Sequence, residues 1–213
     1  MNTRQVVVLS ESFVEGAVNL PAIATRFLPA APPDLTGFDA IIFTSKNAIK
    51  ALDNLTSDWK SLKVFTVGGE STKAAKKLLG EVFYEEAKSN AADLAQTIAD
   101  RFADLKFFYP RAKVVSLDIE AVLSAKNVRI KSQILYETIS REIDEKAIAE
   151  NAAIVFSSPS AINSFFTQIK WRESWIAIAI GAETAKILKN YVKNYEISPE
   201  TSLRSAVNFA RDL

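Results

Sequence analysis

The nine residues IIFTSKNAI, at positions 41–49, recur in altered form as IVFSSPSAI at positions 154–162. A second pair, VGGESTK at 67–73 and IGAETAK at 180–186, is separated by the same distance, because 154 − 41 and 180 − 67 both equal 113. Two matches at one offset, without a gap, favour two copies of one structural unit over coincidence. The offset is too long for a solenoid or propeller repeat, so it predicts a duplicated domain.

Short apolar runs alternate with helical patterns along most of the chain. The runs that indicate buried strands are Val6–Leu9, Ala40–Phe43, Val64–Val67, Phe107–Tyr109, Ile154–Phe156 and Ile176–Ile180. Helical spacing covers Asn47–Leu55, Ser71–Leu79, Ala91–Phe102, Ser116–Ala125, Ala161–Ile169, Thr184–Tyr191 and Leu203–Leu213. This alternation is typical of parallel sheets with helices on both faces, so we predict two doubly wound α/β domains.

Two segments interrupt the alternation. Residues 21–33, PAIATRFLPAAPP, hold four prolines, and residues 129–139, RIKSQILYETI, have an extended, β-rich pattern. Proline marks edges and connections rather than central strands, so we interpret both segments as crossings between the domains. The predicted bilobed division is a first, discontinuous domain over 1–27 and 140–213, an inserted second domain over 35–132, and connecting strands over 28–34 and 133–139.

Charge and composition exclude several classes of function. The chain has 213 residues with 26 basic and 25 acidic side chains and no basic block, so it lacks the electrostatic pattern of a general nucleic-acid binder. It contains no Cys and no His, which excludes disulfides, thiol nucleophiles, Cys/His zinc sites and Ser-His-Asp triads. Chemistry must therefore use carboxylates, lysine, tyrosine, hydroxyls or backbone amides, and we predict no metal site.

The apolar runs are short. The first, Val6–Leu9, has four residues, and the longest later stretch, WIAIAIGA at 175–182, is far below the ~20 apolar residues of a membrane span. We therefore expect a cytoplasmic protein without a signal peptide or a membrane contact.

The repeated segments place polar turns at the carboxyl ends of predicted strands. Thr44 or Ser45 can cap a helix, Pro159 suits a first helical turn, and Gly68 and Gly181 allow tight turns in the second pair. Ligands of open α/β sheets collect at this edge, and free N–H groups at helix starts favour anions. Capping and turn formation alone explain the residues about as well as anion binding. If anions bind, the repeat predicts facing rims of a two-lobed cleft.

Basic residues follow several of these turns. Lys46 comes directly after Ser45, and Arg111 and Lys113 follow a further strand end in FYPRAK. Each can be an ordinary solvated side chain, and nearby Asp118 and Glu120 can pair with the latter two at little gain in stability.

The order of these motifs resembles the uroporphyrinogen-III synthase family. The segments similar to family segments are IIFTSKNAIKAL, VFTVGGESTKAAKKL, FYPRAK, ILYETI, IVFSSPSAINSF, AIAIGAETAKIL and EISPETSLRSAV, in that order. ILYETI is similar to the segment that carries the family's tyrosine, here Tyr136. Three residues depart from the family pattern. Ala112 replaces the usual glycine, and Ser10-Glu11 replaces a frequent Thr-Arg pair.

The resemblance implies an enzyme, a cyclising hydro-lyase of porphyrin and heme biosynthesis. Its substrate would be the linear tetrapyrrole hydroxymethylbilane, a small molecule with acetate and propionate side chains. The product would be uroporphyrinogen III, formed through azafulvene and spiro intermediates with loss of water and inversion of ring D. The resemblance implies no cofactor, and because the repeat already supplies both lobes we expect a monomer, which leaves room for a transient contact with the preceding pathway enzyme.

The resemblance makes Tyr136 the candidate catalytic residue. A tyrosine with the ordinary pKa of about 10 keeps its proton at neutral pH and can donate it. Cross-strand packing explains Tyr136 about equally well on the sequence alone. We assign the substrate-binding role to the strand-end turns and their basic neighbours, namely Thr44, Ser45, Lys46, Gly68, Gly69, Ser71, Arg111, Lys113, Ser157, Ser158, Ser160, Gly181 and Thr184.

A second class of function fits the same pattern. A cytosolic bilobed protein that binds a small anion without turnover, such as a sensor, would need the same turns and the same duplicated sheet. Formation of the type III porphyrin isomer from hydroxymethylbilane distinguishes the enzyme from such a binder.

Overall fold

A computed structural model of the protein describes residues 4–79, 82–86 and 90–213. Its strands are β1 (Val6–Leu9), β2 (Val18–Asn19), β3 (Ile23–Phe27), β4 (Ala40–Phe43), β5 (Lys63–Val67), β6 (Tyr84–Glu86), β7 (Lys106–Ala112), β8 (Arg129–Ser140), β9 (Ala153–Phe156), β10 (Ile176–Ala179) and β11 (Tyr195–Ile197). Its α-helices are α1 (Lys46–Asp53), α2 (Gly69–Leu79), α3 (Ala91–Arg101), α4 (Ile119–Ser124), α5 (Pro159–Phe166), α6 (Ala182–Leu188) and α7 (Leu203–Arg211). Within the described ranges, no helix is long and apolar enough to cross a membrane.

The chain forms two compact units. The first comprises the residues up to Ala24 together with Ile139–Leu213, and the second comprises Thr25–Thr138. The chain therefore passes from one unit to the other within two strands, β3 (Ile23–Phe27) and β8 (Arg129–Ser140), since each contains a boundary.

The first unit contains a five-stranded sheet in the order β11-β10-β9-β1-β2, and its registered neighbours are parallel. Its central strands are buried on both sides, as expected when helices cover both faces. Val7, Leu9 and Phe156 pack with residues of α5 and α6, whereas Val8 and Val155 pack with residues of α7.

The second unit contains a six-stranded sheet in the order β3-β8-β7-β4-β5-β6. The strands from β8 to β6 are parallel to their neighbours. The edge strand β3 is antiparallel to β8. Leu28 N–H donates to Leu135 O and Arg141 N–H donates to Ala22 O, both at 2.9 Å, so the numbering rises along one strand as it falls along the other. Side chains of α1 and α2 cover one face, and side chains of α3 and α4 cover the other. Both units are thus doubly wound, which confirms the predicted fold class.

The duplication in the sequence is a duplication in the structure. In the second unit, β4, α1, β5 and α2 follow one another, and in the first unit β9, α5, β10 and α6 do so. The two strands of each set are sheet neighbours, and a short strand, β6 or β11, follows each set and pairs with its second strand. The offset of the two motifs therefore reports one repeated β-α-β-α-β unit.

The predicted connecting strand over residues 28–34 is wrong. These residues have no regular secondary structure, and the strand lies earlier, at Ile23–Phe27. Three of the seven residues that follow Phe27 are Pro29, Pro32 and Pro33, which cannot donate to a ladder. The second connecting segment, 133–139, is part of the longer strand β8, which has 12 residues.

Sequence periodicity also missed three short strands. Val18–Asn19, Tyr84–Glu86 and Tyr195–Ile197 lie at sheet edges and have two or three residues each. Their pairing comes from neighbouring strands that are already fixed in the sheet, so little signal remains in their own residues.

Candidate functional site

The predicted site turns lie at the carboxyl ends of strands that are adjacent within each sheet. Thr44 follows β4 and Gly68 follows β5, and these strands are parallel neighbours in the second unit. Ser157 follows β9 and Ile180 precedes Gly181 after β10, again as parallel neighbours in the first unit. Each unit therefore has one edge at which two turns of the repeat come together.

In the second unit, Ser45 begins helix α1. Its backbone is extended, with φ −154° and ψ 141°, and its hydroxyl accepts a hydrogen bond from Asn47 N–H at 3.1 Å. The side-chain amide of Asn47 also donates to Thr25 Oγ1 at 2.8 Å, which fixes the first turn of the helix. Lys46 lies 3.6 Å from a carboxylate oxygen of Glu70, at the start of the neighbouring helix α2.

In the first unit, Ser158 has the equivalent role at the start of α5. Its hydroxyl accepts from Ala161 N–H at 3.2 Å, and Pro159 occupies the first helical turn. The hydroxyl of Ser157 donates to Leu9 O at 2.7 Å and so joins the ends of β9 and β1. Ser160 is exposed at this edge.

The two glycine turns differ in conformation. Gly68 has φ +75°, in the left-handed region that favours glycine, and its carbonyl accepts from Thr72 N–H at 3.2 Å. Gly69 begins α2 beside open space, since apart from its chain neighbours and its own helix backbone no atom lies within 4 Å of where a Cβ would be. Gly181 is extended, with φ −179°, but a Cβ there would meet Thr201 Cγ2 at 2.8 Å.

Two of the predicted contact residues are inside the fold. Ser71 and Thr184 occupy the same position in the two repeats, and both are buried. Their burial argues against direct contact between these hydroxyls and a ligand, so the backbone of Gly69 and Gly181 is the better-placed part of each turn.

Tyr136 reaches the Thr44–Ser45 turn from strand β8. Its side chain is 6% exposed and packs with the cluster that covers the α1 and α2 face of the sheet. Burial raises the pKa of Tyr136, and a hydrogen bond with the side chain of Ser45 partly offsets that rise. Tyr136 therefore packs in the core and has its hydroxyl beside a strand-end turn, and its role as a proton donor stays a prediction.

A β-bulge directs Tyr136 to this face. In the ladder between β7 and β8, Arg111 pairs with Ile134 and Ala112 pairs with Tyr136, so Leu135 is an extra residue. Without it, strand alternation would place Leu135 and Tyr136 on opposite faces, whereas both belong to one cluster. Lys113 N–H donates to Tyr136 O at 2.8 Å and holds the strand beyond the bulge.

A second tyrosine, which the sequence analysis did not select, meets the same turn. Tyr109 on β7 is 1% exposed, and its hydroxyl lies 3.3 Å from Thr44 Oγ1. Burial raises the pKa of Tyr109, the hydrogen bond with Thr44 opposes that rise, and the nearby Tyr136 adds to it. Tyr109 lies within an apolar strand, FFYP, so its sequence surroundings indicated only a residue that packs in the core.

The two strand-end cations differ in their pairing. Lys113 is 60% exposed and lies 3.3 Å from a carboxylate oxygen of Glu137, which also binds Arg26. Hydrogen bonds from Arg26 and then Lys113 lower the pKa of Glu137. Glu137 thus carries its charge at neutral pH and offsets that of Lys113.

Arg111 is held by neutral groups instead. Its Nε donates to Ser132 Oγ at 3.2 Å and its Nη1 donates to Ala112 O at 3.1 Å. Ser132 in turn is fixed by Glu120, which accepts from its backbone N–H at 3.0 Å. Among the ion pairs of the described residues none includes Arg111, and its guanidinium is oriented by Ser132, whose hydroxyl donates to the carboxylate of Glu120.

No group of three or more His, Cys, Asp or Glu residues among those described could hold a metal ion. The groups brought together at the edge of the second unit are therefore hydroxyls, backbone amides and the guanidinium of Arg111. Such groups bind carboxylates and donate protons.

Comparison with known proteins identifies similar sequences. A protein-family model described as uroporphyrinogen-III synthase HemD matches residues 8–208. A porphyrin biosynthesis protein HemD from Ruminiclostridium josui is 28% identical over 184 residues, which cover 79% of this chain and 36% of that protein. The matched region is therefore only about a third of the length of that relative.

Two solved structures are similar in fold. The uroporphyrinogen-III synthetase of Helicobacter pylori 26695 has a TM-score of 0.81 at 20% identity, covering 97% of this chain and 98% of its own. A mutant uroporphyrinogen III synthase from the extremely thermophilic bacterium Thermus thermophilus has a TM-score of 0.57 at 16% identity, covering 97% and 96% respectively. At these identities the likeness establishes the fold.

Proposed function

This chain belongs to the uroporphyrinogen-III synthase family, and from that membership we infer that it converts hydroxymethylbilane into uroporphyrinogen III. The reaction class is a cyclising loss of water with inversion of ring D. The observation that carries this proposal is the extent of the family match, since residues 8–208 include both copies of the repeat and the strand that bears Tyr136.

The geometry of each unit supports binding of a polycarboxylate. In the second unit the open backbone at Gly69 and the oriented guanidinium of Arg111 can bind carboxylate groups. In the first unit the exposed Ser160 and the backbone at Gly181 can do the same. We assign carboxylate contacts to these groups, together with the turns Thr44–Ser45 and Ser157–Ser158.

We assign to Tyr136 the donation of a proton to the leaving hydroxyl of the substrate. The carbon–oxygen bond of the hydroxymethyl group breaks, water leaves, and the pyrrole nitrogen lone pair stabilises the carbon as a protonated azafulvene. Ring D then attacks through its substituted α-carbon to give a spiro intermediate, which fragments and closes in the inverted orientation. The closing pyrrole loses one proton, so the tyrosine recovers its own and the protein is unchanged.

The surroundings of Tyr136 suit that task. Burial raises the pKa of the phenol, which keeps it protonated at neutral pH but makes it a weaker acid, so the opposing effect of Ser45 is the part of the environment that favours donation. The Ser45 hydroxyl accepts from Asn47 N–H and can donate its own proton to the phenol oxygen, which leaves the phenol proton for the substrate. The same bond stabilises the phenolate that remains after proton transfer.

The test is the isomer formed from hydroxymethylbilane. The purified protein is incubated with the bilane, the products are oxidised, and the porphyrin isomers are separated. We expect the type III isomer with the protein and the spontaneous type I isomer with the heat-denatured protein. Type I in both samples would reject the proposed function and leave anion binding without turnover.

A further inference from the structure

The two copies of the repeated turn have different surroundings. In the first unit, Ser157 donates to the main chain at Leu9, and Ser158 accepts from the main chain of its helix. In the second unit, Thr44 Oγ1 lies 3.3 Å from the hydroxyl of the buried Tyr109, and the side chain of Ser45 lies near enough to the buried Tyr136 to oppose the rise of its pKa. The same turn is therefore a simple cap in one unit and the centre of a hydroxyl network in the other.

The network is built from both faces of the sheet. Successive residues of β4 alternate between the two core clusters, with Ile42 on the α3 and α4 side and Phe43 on the α1 and α2 side. The alternation continues into the turn. Thr44 contacts Tyr109, which belongs to the cluster on the α3 and α4 side. Ser45 lies beside Tyr136, which belongs to the cluster on the α1 and α2 side.

This arrangement makes the position of Ser45 dependent on Tyr109. Thr44 follows the last residue of β4 and precedes the helix cap, so its backbone sets the direction from which Ser45 leaves the strand. Tyr109 is anchored in the core at 1% exposure and cannot follow a movement of Thr44. A hydrogen bond to such a fixed partner restricts the turn, and through it the Ser45 hydroxyl that contacts Tyr136.

We propose that Tyr109 is a positioning residue, whose buried hydroxyl holds Thr44 and thereby orients Ser45 against the hydroxyl of Tyr136. This inference rests on the proposed function only in the part that concerns turnover. Tyr109 is 1% exposed against 6% for Tyr136, so it is the less accessible of the two tyrosines and we assign it no contact with the substrate. Its effect is transmitted through two adjacent residues of one turn.

The experiment follows Tyr136 directly and needs no activity. The protein is labelled with ¹³Cζ-tyrosine, and the signal of Tyr136 is identified among the five tyrosines by its loss in Tyr136→Phe. The position of that signal depends on the hydrogen bonding of the phenol oxygen. We expect Tyr109→Phe and Thr44→Val to shift it, and Thr44→Ser, which keeps the hydroxyl, to leave it near its wild-type position.

The same variants are then assayed for turnover. A hydrogen bond of ordinary strength predicts that Tyr109→Phe and Thr44→Val each lower kcat by about threefold to tenfold. KM should change less than about twofold in Tyr109→Phe, whereas Thr44→Val can also raise KM because its turn is assigned to the substrate. The double variant should be no slower than the slower single variant, since both changes break one link. Tyr191→Phe is the matched control, because it removes a tyrosine hydroxyl bonded to Asn163 in the first unit, and it should change neither quantity.

The outcomes separate the two proposals. An unmoved Tyr136 signal in both Tyr109→Phe and Thr44→Val would overturn the positioning role, even if the unfolding temperature falls, since that is the result expected of core packing alone. Shifted signals in a protein that forms only the type I isomer would retain the positioning role and reject the proposed synthase activity.

Discussion

At the scale of single residues, Tyr136 combines burial with a specific hydroxyl partner. Its ring packs among core residues, while its oxygen meets Ser45, which is itself bonded to Asn47 N–H. Packing and proton donation are therefore compatible roles of one side chain, and a conservative change can separate them.

Replacing Tyr136 by Phe keeps the ring and removes the proton. We expect kcat for type III formation to fall at least about tenfold, because a positioned general acid contributes roughly 10²–10⁴-fold. KM and the circular dichroism spectrum should stay close to wild type. An unchanged kcat in the folded variant would remove Tyr136 from the mechanism.

The two buried tyrosines also predict how stability depends on pH. Burial raises the pKa of Tyr109 and Tyr136 above the ordinary value in the folded state. The unfolded chain releases these protons near pH 10 while the folded chain retains them, so the free energy of unfolding falls as the pH rises above about 10. Urea titrations at pH 8 to 11 measure the slope.

Variants provide the control for that slope. Tyr136→Phe should flatten the alkaline decline, whereas Tyr191→Phe removes an exposed tyrosine and should leave it unchanged. A decline of equal steepness in Tyr136→Phe would show that other groups cause it.

At the scale of elements, the two glycines of the turn after β5 allow a conformational role and a substrate-binding role to be tested separately. Gly68 has φ +75°, so Gly68→Ala should cost about 1–2 kcal/mol of stability. Gly69 faces open space at a helix start, so Gly69→Ala should leave stability unchanged or slightly raised. If substrate approaches the Gly69 backbone, the same variant should raise KM.

Gly69 is a better probe than its counterpart in the other repeat. A Cβ at Gly181 would meet Thr201 at 2.8 Å, so a substitution there disturbs the neighbouring loop as well as the edge. Chemical denaturation and KM for hydroxymethylbilane are the two measurements. A KM for Gly69→Ala equal to wild type would indicate that this turn is structural only.

The two helix caps form a second pair. Ser45→Ala and Ser158→Ala each remove a side chain that accepts from the first helical turn, which should cost about 1 kcal/mol of stability in both variants. Ser45 also contacts Tyr136, so only Ser45→Ala should lower kcat, while Ser158→Ala should act on KM. Equal losses of kcat would contradict the functional difference between the two copies.

At the scale of the whole molecule, the proposed chemistry uses only groups of the chain and the substrate. The sequence has no His or Cys, and the described residues contain no candidate cluster of metal ligands. We therefore expect dialysis against EDTA to leave the rate of type III formation unchanged. A loss of activity that returns on adding Mg²⁺ would contradict this expectation.

The repeat and the order of strands and helices could be predicted from the sequence because they depend on local patterns. Apolar runs such as Ala40–Phe43 match β4 to the residue, and the offset of 113 given by 154 − 41 matches the duplicated β-α-β-α-β unit. A cap at Thr44 or Ser45 and the place of Pro159 in a first helical turn were also predicted, since a cap bonds to residues only two or three positions away, and the structure has Ser45 as the cap.

The tyrosines that contact the Thr44–Ser45 turn could not be predicted from such local patterns. Thr44 and Tyr109 are 65 residues apart, and they meet because β7 lies next to β4 in the sheet. The bulge at Leu135 then turns Tyr136 towards Ser45, although strict alternation would send it to the other face.

The sequence by itself thus determined the duplicated fold, the four strand-end turns and Tyr136 as a candidate, through local periodicity and family resemblance. Only the tertiary structure decided that Ser71 and Thr184 are buried, that Arg111 is held without an acidic partner among the described residues, and that the copies of the turn differ. The physical reason is that capping and periodicity act between near neighbours in the chain, whereas these contacts depend on which strands pair and in what register.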